Sequence, residues 1–170
     1  IIESNQDIIE TVLIPELSLD SAQALQRDGS PQSLAVYWLA SNHDLRVFSN
    51  FRIIQRYALA TFYYATEGES WIDNDEWLSA DVHECQWYSS SLGMFGESPC
   101  SRERLYYELI LIDNGLRGSI PDDLGLITTL GMSTECNIPN IRSALFSLML
   151  TWLSSVRHCR ADRPIGELLD

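Results

Sequence analysis

Residues able to do chemistry crowd between positions 71 and 100. Asp73, Asn74, Asp75 and Glu84 have the spacing of a calcium loop, with Glu84 at the twelfth position. Trp77 and Leu78 stand where a ligand and a glycine are needed, so a polar turn with capping Asp is the better reading. His83, Cys85 and Cys100 could supply three zinc ligands, but no fourth is in sight. Trp71, Trp77 and Trp87 offer either a platform for sugars or an aromatic core, and the usual burial of such rings favours core. His43 and His158 are isolated and read as surface residues. No Ser-His-Asp order, phosphate loop or dinucleotide fingerprint is present. The expectation is therefore no catalytic residue, no metal and no cofactor.

The elements that must position these residues begin with a lead-in over 1–16, where Ile8, Ile9, Val12, Leu13 and Ile14 follow no long period and Pro15 stops a helix. A helical segment over 17–68 comes next. Ser18 opens a short helix that Gly29 ends. Ser30 caps a second helix with Pro31 at its first position, and Leu34, Tyr37 and Trp38 form its buried stripe. Asn50 caps the longest helix, whose inner face carries Phe51, Ile54, Ala58, Phe62 and Ala65, widened by Ile53, Tyr57 and Leu59. Gly68 suits its left-handed end. From 69 to 104 the texture turns to Ser, Gly, Asp and Trp, a loop-rich unit in need of a staple.

Bulk properties narrow the class. The 170 residues are 45% hydrophobic, enough for one domain with a real core. Eleven basic residues, all Arg, face 24 acidic ones, and a net charge of −13 argues against a nucleic-acid partner. The four cysteines, Cys85, Cys100, Cys136 and Cys159, form no C-x-x-C pair, and no N-x-[ST] sequon is present. The most apolar stretch, the 14 residues 143–156, would span about 21 Å as a helix, short of a bilayer core of about 30 Å. The chain starts at Ile1 and is expected to be a piece of a longer product, with any membrane anchor outside it.

Residues 109–126 read LILIDNGLRGSIPDDLGL. This stretch resembles the plant-type leucine-rich repeat at each fixed position. The resemblance implies that Leu109 and Leu111 point inward from a short strand, that the Asn114 amide bonds backbone of adjacent turns, and that Leu116, Ile120 and Leu124 fill core layers. Gly118 would permit a close turn and Pro121 would set the convex side. Trp71, Trp77, Cys85-Gln86-Trp87 and Cys100 resemble the cap that precedes such repeats, although Tyr88-Ser89 replaces its usual Gly-Val. In that family the cap cysteines are joined, which implies a Cys85–Cys100 disulfide. With the run RYALATFYYATEG from Arg56, the stretch 30–130 is most similar to the receptor-like leucine-rich-repeat proteins of diatoms.

The fold class expected is mixed and mainly α: the helical segment, a disulfide-stapled cap over 69–104, and over 105–130 the first repeat of an α/β solenoid. The resemblance implies an extracellular or cell-surface module that recognises a protein, peptide or glycan. Its concave strand face would be Tyr107, Glu108, Ile110 and Ile112. The alternatives are an ectodomain fragment of a receptor kinase and a structural wall or adhesion protein. One repeat alone would leave Leu109, Leu111, Leu116, Ile120 and Leu124 as an apolar edge prone to association. Past Leu130 the register is lost, so 131–170 is expected to be either a translated intron or a helical cap, and the least ordered part, with Cys136 and Cys159 unpaired.

Overall fold

The computed structural model describes residues 4–87, 100–107, 109, 111 and 114–129. Four α-helices lead the chain: α1 (Asn5–Ile8), α2 (Leu19–Leu25), α3 (Pro31–Asn42) and α4 (Asn50–Ala65). Each begins at a serine whose hydroxyl accepts from the backbone three residues on: Ser4 from Asp7, Ser18 from Ser21, Ser30 from Ser33 and Ser49 from Arg52. Such a cap satisfies an otherwise orphaned N–H and contributes about 1 kcal/mol. The cap of α4 is thus Ser49, one residue before the expected Asn50. Its hydroxyl lies outside the first turn and can fold back onto it.

The lead-in is part of the core. α1 continues through a π-turn (Ile9–Leu13) that buries Ile8, Ile9 and Leu13, and Pro15 falls in the 3₁₀ turn (Ile14–Glu16) that ends it. Helix α3 buries Ala35, Trp38 and Leu39, so of the expected stripe only Trp38 is buried. Tyr37 is 72% exposed and Leu34 38%. The inward row starts one residue later, at 35, a rotation of about 100° that swings Tyr37 to solvent.

Helix α4 is the axis of the molecule. It packs on α3, on the π-turn and on a 3₁₀ segment (Asp122–Leu126). From Ile53 to Tyr63 every residue except Ile54 is buried, because neighbours cover nearly its whole circumference. Its end departs from expectation. Glu67, at φ 55°, takes the left-handed position, and Gly68 serves instead as a gap filled by the Tyr63 ring, which a Cβ would strike.

The α/β solenoid is corrected by the structure. The described residues are mainly helical and contain no sheet, only an isolated antiparallel bridge between Cys100 and Tyr106. A repeat strand needs a neighbouring strand to take its backbone groups. Here the helical unit and the cap bond the backbone of this segment instead. The Tyr106 N–H donates to Gln55 Oε1 (2.7 Å), Arg117 N–H to the Thr66 carbonyl (3.1 Å), and the Asn114 carbonyl accepts from Ile72 N–H (3.0 Å). The expected apolar edge is likewise turned inward. Leu109 and Leu111 are each 6% exposed, Leu124 is buried, and Leu116 and Ile120 pack partly buried on the same core.

Candidate functional site

Of the expected recognition face, Tyr107 is described and is 38% exposed, beside inward-facing Leu109 and Leu111. Glu108, Ile110 and Ile112 lie outside the described residues, as do His158, Cys136, Cys159 and the whole of 131–170.

The scaffold positions behind that face are drawn to the helical unit. The Asn114 side chain holds the backbone of one cap residue at both its polar groups: its Oδ1 accepts from Asp73 N–H (2.6 Å) and its Nδ2 donates to the Asp73 carbonyl (2.8 Å). Gly118, at φ 98°, lies where a Cβ would meet the Ala65 carbonyl at the end of α4. Pro121 precedes the 3₁₀ turn that carries Asp123 and Leu124 inward. Thr129 returns to the start of the segment, donating from Oγ1 to the Tyr106 carbonyl (2.7 Å).

Cys85 and Cys100 form a disulfide with Cα atoms 5.5 Å apart, closing a span of 15 residues. That uses both thiols, and the third expected zinc ligand is turned to local work, His83 Nδ1 accepting from Cys85 N–H (3.2 Å). Among the described residues no group of three His, Cys, Asp or Glu could hold a metal ion. The calcium-like position fares no better, since Glu84 is committed elsewhere.

Glu84 and Arg56 are both fully buried and paired, with Arg56 Nη1 2.9 Å from Glu84 Oε2. Gln55 Nε2 donates to the other carboxylate oxygen (2.9 Å), and Arg52 reaches Oε2 from the half-exposed side (3.2 Å). Nη1 of Arg56 also donates to the Val82 carbonyl (3.2 Å), and Nη2 donates to the Ser79 carbonyl (2.9 Å) and to His43 Nε2 (2.8 Å), while buried Nε has no hydrogen-bond partner among the described residues. Its cation sits in an aromatic box, 4.6 Å from the centre of Trp87, 5.2 Å from Trp38 and 5.5 Å from Phe48. Burial by itself would raise the Glu84 carboxyl. A backbone hydrogen bond and the charges of Arg52, His83 and Arg56 outweigh it and hold that carboxyl below its ordinary range. The pair therefore stays ionised and welds α4 to the cap.

The three cap tryptophans belong to this weld. Trp71 and Trp77 meet edge to face at 4.9 Å, Trp77 leans on Trp87 at 6.0 Å, and Trp87 meets Trp38 of α3 at 5.4 Å. All three are buried, as the core reading of them requires. A second polar tie joins α4 to the repeat-like segment, the Tyr57 hydroxyl donating to buried Asp123 (2.8 Å).

Sequence reasoning passed over Arg56, Gln55, Asp123 and the role of His43. One signal was available: an arginine inside the apolar run IIQRYALATF must bring an acid with it or stay outside. His43 is not a free surface residue. It is half-buried between Trp38 (4.7 Å) and Phe48 (5.5 Å).

No family model, no curated protein and no solved structure matches the chain.

Proposed function

We propose that this chain is a non-catalytic recognition module, the N-terminal part of an extracellular leucine-rich-repeat protein, with the helical unit as its end-piece. The observation that carries the reading is the docking of the repeat-patterned segment. Its fixed positions Asn114 and Gly118 meet the backbone of the cap at Asp73 and of α4 at Ala65, so stretches of unlike texture share one core. The repeat positions are held there as a coil, not as a strand of a sheet. Buried charges and aromatics are consumed in holding the two together, which suits a platform better than a reaction centre.

The ligand class is a protein, peptide or glycan, contacted through the face around Tyr107. The acidic balance disfavours nucleic acid, and the disulfide is compatible with an extracellular setting. Among the described residues no helix is long and apolar enough to cross a membrane. The test is to immobilise the secreted, oxidised chain, screen extracellular glycans and peptides, and repeat each hit with Tyr107→Ala and with Tyr37→Ala on α3. Binding weakened tenfold or more by the first and unchanged by the second is expected. Binding indifferent to Tyr107, or turnover of any ligand, overturns the reading.

A further inference from the structure

His43 stands where α1, α3 and α4 meet, and Arg56 links it to the cap. Its ring is held at both nitrogens. Nδ1 lies 3.0 Å from the Leu39 carbonyl, an acceptor only, so Nδ1 carries the hydrogen. Nε2 lies 2.8 Å from Arg56 Nη2, a donor only, so Nε2 presents its lone pair. The two contacts specify one tautomer of a neutral imidazole. The backbone of His43 is a third anchor, its carbonyl accepting from Asn5 Nδ2 (2.6 Å), while Asn5 Oδ1 takes Leu45 N–H (3.0 Å). Through Arg56 the ring is one step from Glu84 and the cap carbonyls of Ser79 and Val82.

We propose that His43 is a proton-operated latch: the neutral ring closes the seam between the helical unit and the tryptophan cap, and a proton on Nε2 opens it. A proton there would set an N–H donor against an N–H donor and a cation against the buried Arg56 cation. Arg56 cannot yield: burial lowers its pKa against the raising effect of Glu84, but a guanidinium keeps its proton and this one is fully enclosed. His43 can, because it is half-exposed and lies on a short loop.

The charges around the ring are opposed, with Arg56 and Arg52 disfavouring a proton on it and Glu84 favouring one. From α4 it faces Arg56 and Arg52, and from the cap Glu84, itself bonded to both arginines. Its chain neighbour Asp44 is occupied by Arg46 at 2.7 Å, and α3 contributes only Trp38 and the Leu39 carbonyl. Burial first, and then the Arg56 cation, push the imidazole down from 6.5 to about 4. Once swung out, the ring regains its ordinary value. A folded value below the open one means that the closed form is fully favoured above pH 6.5. It loses ground as pH falls from there towards 4. The ratio of open to closed then rises by up to about 70-fold between pH 7.5 and pH 4.5.

His83 is the second histidine of the cluster, 3.6 Å from Glu84, and it provides the control. The experiment uses the whole oxidised chain, following the His43 ring proton by NMR from pH 7.5 to 3.5 and measuring unfolding equilibria over the same range. A ring midpoint well below 6.5 is expected, with a stability step between pH 6.5 and 4 that His83→Gln reduces but does not abolish, because burial also lowers His83. In His43→Gln, whose amide oxygen accepts from Arg56 at any pH, the step should shrink. A His43 midpoint near 6.5 in the folded protein overturns the latch, as does an unchanged step in His43→Gln. Should that variant not fold, the wild-type midpoint decides alone.

Discussion

The Tyr57 hydroxyl donates to Asp123 Oδ1 at 2.8 Å, across 66 residues of sequence and inside the core. Asp123 Oδ2 accepts from Gln32 Nε2 at 2.9 Å, so one carboxylate ties α4, α3 and the repeat-like segment. Burial, and then the nearby Asp123 charge, push the phenol above its ordinary 10.0, which keeps it protonated and donating. Removing the donor leaves a buried carboxylate oxygen without that partner. Tyr57→Phe is expected to cost about 1–3 kcal/mol in urea unfolding. Asp123→Asn, which keeps an acceptor, should cost less. Equal and negligible losses from both would mean that this tie contributes nothing.

The Arg56–Glu84 pair should show the asymmetry of a buried charge. Glu84→Ala strands a guanidinium in the core and is expected to cost about 3–5 kcal/mol, whereas replacing both partners by apolar residues should recover much of that. The pH dependence has a definite sign. The folded carboxyl lies below its ordinary 4.5, so its contribution is complete above pH 4.5 and is lost as pH falls through the folded value. Denaturant titrations of wild type and Glu84→Gln on the acid side of 4.5 check this. The slope there should flatten in the variant.

Serine caps were legible where capping is local. Ser18 and Ser30 announced their helices, and Ser30-Pro31 fixed the start of α3. The face of α3 was not, because Leu34 and Tyr37 are as apolar as Ala35 and Leu39, and only the neighbours decide which row turns in. The Cys85–Cys100 link was implied by the family resemblance and is present, whereas that resemblance gave Asn114 partners in adjacent turns and Gly118 a close turn, and the structure sets Asn114 on Asp73 and Gly118 against Ala65. The strand was not a sound expectation. Its alternation survives in buried Leu109 and Leu111, but sheet pairing is a property of two segments, and Gln55 and Thr66 took the hydrogen bonds. Arg56 and Glu84 meet across 28 residues with no local signature, so their partnership could only be found in three dimensions.

Two glycines of the repeat-like segment should respond oppositely to alanine. Gly118 sits at φ 98° with the Ala65 carbonyl where its Cβ would be. Gly118→Ala is expected to cost about 1–3 kcal/mol from backbone strain before the clash is counted. Gly125 has no atom within 4 Å of the Cβ position and no positive φ, and an added methyl there only restricts the unfolded chain. Gly125→Ala should be neutral or stabilising by up to about 1 kcal/mol. Melting curves of the two variants test the docking at Ala65. A tolerated Gly118→Ala would mean that the segment does not seat against the end of α4.

The disulfide gives the last prediction, which joins stability to cellular setting. It closes a span of 15 residues, and Cys85 adjoins Glu84, the acid that pairs with Arg56. In the chain-entropy model a loop of that size contributes about 3 kcal/mol. Opening it also frees the 3₁₀ turn (Glu84–Gln86) that presents the carboxylate to the core. Reduction should therefore lower stability by at least the loop term and raise solvent access to Trp87, which is fully buried in the oxidised protein. Urea unfolding followed by tryptophan fluorescence, with and without a phosphine reductant, measures both. The state of the thiols in protein recovered from its natural producer is the companion measurement. Mass spectrometry finding Cys85 and Cys100 oxidised there supports a secreted or surface role, because reducing compartments keep such pairs open. Free thiols in that material would remove the main support for the extracellular reading, whatever the stability data show.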